Sequence, residues 1–148
     1  DPSPSEIEKR NYRRELQKKT SKYYFKLAPK VLEEMLDEEK RDMHWKANVV
    51  HKINSFIDDE RITGTELRSV DCGETLCKVQ VDIPSKDKLR EFRHIWVNEG
   101  PSFGHDHGKP YELPDGRFNV DIFFTREDEF DAFWKMRERM VDIIEQGQ

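Results

Sequence analysis

Apolar positions along this chain switch between a period of two and a period near 3.6. The clearest period-two stretch is Ser69–Ile83. Val70, Cys72, Cys77, Val79, Val81 and Ile83 fall on one face, and Asp71, Lys78, Gln80 and Asp82 on the face expected to meet water. This predicts a β-hairpin with strands at about 65–72 and 76–83. Gly73 is expected to supply the positive φ of a short turn. Period-3.6 stretches surround it. A helix is predicted from Glu6, with Ser5 as N-cap and Glu6 and Glu8 in its first turn. A second begins near Pro29, placed in its first turn, with a stripe of Val31, Leu32, Met35 and Leu36. A third, or a continuation, runs from about Glu39 to Asp58 and presents Trp45, Val49, Ile53 and Phe56, widened by Val50 and Ile57. Gly64 ends that unit. Pro84 closes the second strand, and Ser85 caps a helix to about Asn98 that buries Leu89, Phe92, Ile95 and Trp96.

Residues 98–110 contain Gly100, Pro101, Gly104, Gly108 and Pro110, lack periodicity, and are predicted to form a long loop. Leu113-Pro-Asp-Gly116 is a turn signal. It joins Tyr111–Leu113 to Arg117–Thr125, where Phe118, Val120, Ile122 and Phe124 alternate inward and Phe123 lies on the other face. Thr125-Arg-Glu-Asp128 resembles a capping box for a last helix. That helix has a wide apolar surface of Phe130, Phe133, Trp134, Met140, Val141, Ile143 and Ile144, suited to the sheet and a further neighbour, either the N-terminal helices or a second copy of the chain. The order is α-α-α-β-β-α-β-β-α. It predicts an α+β domain over 27–148: a mainly antiparallel sheet of about four strands in two hairpins, helices packed on one face, and a long helical N-terminal region.

Cys72 and Cys77 flank the hairpin turn, where cross-strand Cβ atoms come within disulfide reach. Three states compete: a structural disulfide, two buried thiols in a reducing compartment, or a redox-active pair. A disulfide closing so short a loop is worth about 2 kcal/mol in the loop-entropy model. Four spacers on strands differ from the C-x-x-C at a helix N-terminus used for dithiol catalysis. Metal binding needs more ligands than two cysteines supply. The run Val70-Asp-Cys72-x4-Cys77-Lys78-Val79-Gln80-Val81, preceded by a helix bearing Trp45 and followed by another helix, resembles a group of uncharacterised exported bacterial proteins of myxobacterial type. The resemblance covers about the middle third of the chain. It implies an extracytoplasmic location and a Cys72–Cys77 disulfide, and it implies no activity and no catalytic residues.

Composition narrows the reading. Apolar residues are only 34% of the 148 and charged residues 39%, yet 16 aromatics (9 Phe, 4 Tyr, 3 Trp) argue for a folded core under a charged shell. The net charge of −5 argues against general nucleic-acid binding. That charge is unevenly spread. Residues 6–26 hold eight Lys/Arg against three Glu, a local +5; Asp1 adds −1, which leaves −9 on 27–148. Residues 1–26 therefore read as a basic tail or helical arm. Arg10, Arg13, Arg14, Lys18 and Lys19, with Tyr23 and Tyr24, are candidate contacts for an acidic protein or an anionic membrane surface. Phe103 of the 98–110 loop is a further candidate contact. No apolar run is long enough to span a membrane. The chain opens on Asp1-Pro-Ser-Pro-Ser5 without Met, which suggests a mature or trimmed product, in which a removed signal, lipid anchor or upstream transmembrane segment would not be visible.

His105-Asp106-His107 is the one metal-like cluster. Two imidazoles and a carboxylate suit zinc or copper, although consecutive strand positions alternate sides. His44 and His51, seven apart, read as surface histidines. The chain contains no G-x-S-x-G, Walker loop or G-x-G-x-x-G, and its carboxylates are too many to single out a catalytic pair. The expectation is a non-catalytic binding or structural module outside the cytoplasm, a subunit or accessory of a larger assembly, with no cofactor. The alternatives are a metal carrier or metal-dependent enzyme centred on His105 and His107, and a cytosolic protein with reduced cysteines that dimerises through its helices.

Overall fold

Ser3, rather than Ser5, starts the first helix. Its hydroxyl accepts from the Glu6 amide at 3.2 Å, and Pro4 takes the first helical position, where its missing N–H costs nothing. In the computed structural model, which describes every residue but Ser102, Asp128, Phe130 and Gln148, α1 spans Pro4–Thr20. A single 3-10 turn, Ser21–Tyr23, leads into α2 (Tyr24–Glu38). Pro29 therefore sits inside α2 and not in its first turn. It deprives the Phe25 carbonyl of its helical donor. The helix nevertheless continues, because Leu27, Ala28, Val31, Leu32, Met35 and Leu36 are buried along one stripe.

The remaining order is α3 (Met43–Ile57), a 3-10 turn at Glu60–Ile62, β1 (Glu66–Cys72), β2 (Leu76–Ile83), α4 (Lys86–Glu99), β3 (Asp106–Glu112), β4 (Phe118–Thr125) and α5 (Asp131–Glu145). Asp42 caps α3 through the His44 and Trp45 amides, and Ser85 caps α4 through the Lys88 amide. Gly64 turns the chain with φ of 92°. The four strands form one antiparallel sheet ordered β1-β2-β4-β3, so the two hairpins join through β2 and β4. The Leu113–Arg117 turn closes the second hairpin, with Gly116 at φ 86°. This is the α+β architecture, two hairpins included, that the periodicity predicts.

Two local expectations need correction. β3 begins at Asp106, so the connection before it is shorter than 98–110. Gly108 and Pro110 are poor strand formers, but β3 is an edge strand, where a missing donor is tolerated. Thr125 is the last residue of β4 and not a helix cap; its hydroxyl donates to the Arg126 carbonyl. The capping role of Asp128 and the packing of Phe130 lie outside the described residues.

The helices also extend past one face. Val49 and Ile53 of α3, with Leu89, Phe92 and Ile95 of α4, cover the alternating face of Val70, Cys72, Cys77, Val79, Val81, Ile83, Phe118, Val120, Ile122 and Phe124. Phe56, Phe92 and Trp96 interlock at its margin with ring centroids 5.4–5.8 Å apart. On the opposite face, among the described residues, only Leu76 and Phe123 of the strands belong to the apolar core, and they meet α2 and α5. Phe123 is thus covered, at 1% exposure. The wide surface of α5 is used within the chain, packing on both α1 and α2.

Candidate functional site

Cys72 and Cys77 are directly opposed in the hairpin register and joined by a disulfide, with Cα atoms 4.1 Å apart. Both are buried in the α3/α4 core. The loop beyond them is held by residues distant in sequence. The Glu39 carboxylate, at the end of α2, accepts from the Thr75 amide (2.9 Å), the Leu76 amide (3.1 Å) and the Thr75 hydroxyl. This explains Gly73. Its φ is not positive, so the turn does not require glycine for that reason. A Cβ there would instead collide with the Glu39 carboxylate.

Two arginines complete the corner. Arg41 grips the Asp71 carboxylate at 2.7 and 3.1 Å and donates to the Leu36 and Glu39 carbonyls at the end of α2. Arg126, just after β4, donates to the Glu74 carbonyl (2.9 Å) and the Asp42 carboxylate (2.5 Å). Its guanidinium lies 4.2 Å above the Trp45 ring. The Trp45 amide, and then Arg126, hold the Asp42 carboxyl below the usual carboxylate range. The disulfide hairpin, the α2–α3 link and the end of β4 therefore form one interlocked corner.

A cleft of about 490 Å³ opens beside it, lined by Trp45, Asn48, His51, Lys52, Phe103 and Arg126 among others. Phe103 stacks on Phe124 at 3.9 Å, and the Lys52 ammonium lies 5.7 Å from the Phe103 ring. Cations over aromatic rings can hold an anionic or amphipathic partner group. The sequence signalled little of this. Asp42 was legible as an acidic residue before a periodic run. Glu39, Arg41 and Arg126 act 30 or more residues away in sequence, where periodicity carries no information.

The basic arm is a docked helix. Leu16 and Thr20 of α1 are buried. Arg13 pairs with Asp131 (3.3 Å) and lies 4.8 Å over Trp134, while the Tyr12 hydroxyl donates to Glu138 (2.9 Å). Arg10, Arg13 and Arg14 come together with Lys9, Gln17 and Trp134 around an open groove of about 490 Å³. Lys18 and Lys19 are exposed in the last turn of α1. The two tyrosines belong to the fold: Tyr23 is half-buried, and Tyr24 packs against His107 with ring centroids 5.3 Å apart. Phe103 lies on the other side of the sheet, with the α3/α4 core.

The three residues of the His-Asp-His cluster are dispersed. His105 meets Phe133 edge-on at 6.0 Å, Asp106 accepts from Trp96 Nε1 at 2.9 Å, and His107 is buried beside Tyr24. Asp106 and His107 point to opposite faces because they are neighbours in β3. Burial pushes the His107 imidazole below its ordinary pKa, with Lys109 acting in the same sense. Among the described residues, no group of three or more His, Cys, Asp or Glu is arranged to hold a metal ion. No helix among them is long and apolar enough to cross a membrane. His44 and His51 are both exposed. Comparisons of the chain with family models, curated proteins and solved structures yield no match.

Proposed function

We propose that the protein is a non-catalytic binding module acting outside the cytoplasm, a subunit or accessory of a larger assembly, and that α1 is its contact surface for an acidic protein partner. The observation that carries this reading is the α1 groove, where Lys9, Arg10, Arg13 and Arg14 outnumber the one carboxylate, Glu6, among the described lining residues beside the Trp134 ring. Converging cations steer and orient an acidic partner, and an aromatic floor adds a desolvated anchor. The docked state of α1 supports the same reading, since a prefolded helix pays no ordering cost on binding. The Cys72–Cys77 disulfide supports export, because such bonds persist in oxidising compartments.

The test reverses charge at Lys9, Arg10 and Arg14 (K9E/R10E/R14E) and leaves Arg13, which holds α1 through Asp131 and Trp134. The probe is a poly-glutamate peptide, titrated at two salt concentrations, with anionic phosphatidylglycerol vesicles as a second arm. The expected outcome is salt-sensitive peptide binding that the triple variant loses while its near-ultraviolet circular dichroism stays unchanged. Equal binding by both proteins overturns the contact surface, and binding to vesicles alone redirects it to a membrane. Free thiols in carefully alkylated protein from its native host would overturn the export reading.

A further inference from the structure

We propose that the cleft between α1, α5 and the start of β3 is a binding site for a small monocarboxylate with a flat apolar body. This goes beyond the α1 contact surface. The cleft holds about 390 Å³ and is lined by Gln17, Tyr24, His105, Phe133, Trp134 and Arg137 among others. That volume is within the range of small-ligand pockets.

Arg137 supplies the cation. It projects from the middle of α5, and its guanidinium carbon sits 4.5 Å over the Tyr24 ring. One nitrogen donates to the Thr20 hydroxyl oxygen at 2.6 Å. Thr20 is fully buried and spends its own proton on the Leu16 carbonyl at 2.7 Å, so it is oriented as an acceptor. Among the described residues no carboxylate pairs with Arg137. Its neighbour Arg139, two residues on, is held by both oxygens of Glu38 at 3.0 and 2.6 Å. Arg13, Arg41, Arg61 and Arg126 are likewise paired with acids. Burial pushes the Arg137 pKa below its ordinary value, the direction expected of a guanidinium withdrawn from water without a counter-ion.

The chemistry of the ligand follows. A guanidinium fork already fixed at one nitrogen presents its remaining donors to a carboxylate. A dianion is disfavoured, because Arg137 is the one permanent cation among the described lining residues and Asp106 stands on the same lining. Tyr24, Phe133 and Trp134 line the cleft, and with Arg137 over the Tyr24 ring and Arg13 over the Trp134 ring this cation–aromatic lining favours a planar body over an extended aliphatic one.

The experiment titrates ¹⁵N-labelled protein with phenylacetate, with phenylacetamide as the neutral isostere and inorganic phosphate as the dianion. Phenylacetate is expected to give saturable shifts at Gln17, residues 104–107 and 133–137, and the Trp134 indole. Phenylacetamide and phosphate are expected to bind at least about tenfold more weakly, which corresponds to about 1.4 kcal/mol. Arg137→Lys should weaken phenylacetate about tenfold, and Arg137→Met should abolish saturable binding. K9E/R10E/R14E should bind phenylacetate as the unaltered protein does, which separates this site from the α1 contact surface. Equal affinity for acid and amide, shifts that map elsewhere, or unaltered binding by Arg137→Met would each overturn the proposal. The acid-versus-amide comparison decides the matter on the unaltered protein even if a variant misfolds.

Discussion

The two faces of the sheet are built from the same four strands but follow different rules. The α3/α4 face is apolar from Val70 to Phe124 and is covered by α3 and α4, with the Trp45–Phe103 cleft opening at its margin. The opposite face is apolar only at Leu76 and Phe123; along the rest, Lys78 pairs with Glu33 at 2.6 Å and Gln80 donates to Asp121 at 3.0 Å. One face makes the domain stable. The other carries α2 and α5 over Leu76 and Phe123 and charged pairs along the rest, α1 packs on α5, and both proposed binding regions lie among those helices. Stability and recognition are thus placed on opposite sides of one layer.

That division can be broken by experiment. The largest effect is expected from Phe124→Ala, at a fully buried residue of the covered face, which should cost about 3–5 kcal/mol in chemical denaturation. A loss under about 1 kcal/mol would mean that the face is not the principal core. Next, replacing both cysteines (C72A/C77A) should cost about 2 kcal/mol, by the loop-closure argument, and should leave the hairpin register intact because Glu39 and Arg41 still hold the loop. Loss of β1–β2 amide protection from hydrogen exchange would show that the disulfide and not the polar corner sets the register.

A smaller change is expected on the charged face. Lys78→Met removes a part-buried ammonium at 18% side-chain exposure, and should cost no more than about 1 kcal/mol. A loss as large as that of Phe124→Ala would erase the distinction between the faces. Burial works against the Lys78 charge, but Glu33 and Asp121 outweigh it and raise its pKa. Its contribution is therefore full below the ordinary lysine pKa and fades only as pH rises through the raised value.

The smallest effect concerns acid. Arg61 holds Asp59 down to about 2, and the Asp42, Glu38 and Glu99 carboxyls are also lowered, by the Trp45 amide, Arg139 and Arg61 respectively. Lowered carboxyls stabilise the fold above their ordinary pKa and lose that contribution as pH falls through the folded value. Denaturation midpoints should therefore decline between about pH 4 and pH 2, following Asp59. Asp42→Asn keeps a capping oxygen and should flatten part of that decline; an unchanged slope would assign the acid sensitivity to other carboxyls.

Much of the architecture was legible because it rests on local periodicity. The period of two from Val70 to Ile83 identified the face that α3 and α4 cover, and the Ser85 cap and the Leu113–Gly116 turn are written in contiguous residues. Where neighbours in space are distant in sequence, the pattern was silent. Pro29 inside α2 is tolerated because of burial along that helix, which propensity does not register. β3 was hidden by Gly108 and Pro110, since only its edge position makes them acceptable. The candidate sites were the least legible. Arg10, Arg13 and Arg14 stood out by charge. Arg137 carries no local mark, because what distinguishes it from Arg139 is the acid that one has and the other lacks.

The two margins of the sheet set the terms on which copies of this molecule can meet. At one, β1 slips register between Leu67 and Ser69; at the other, β3 carries Pro110, which offers no amide hydrogen. A bulge and an edge proline are the devices by which proteins prevent a stranger's strand from continuing their own. Crowding many copies together should therefore not zip them into a continuous ribbon.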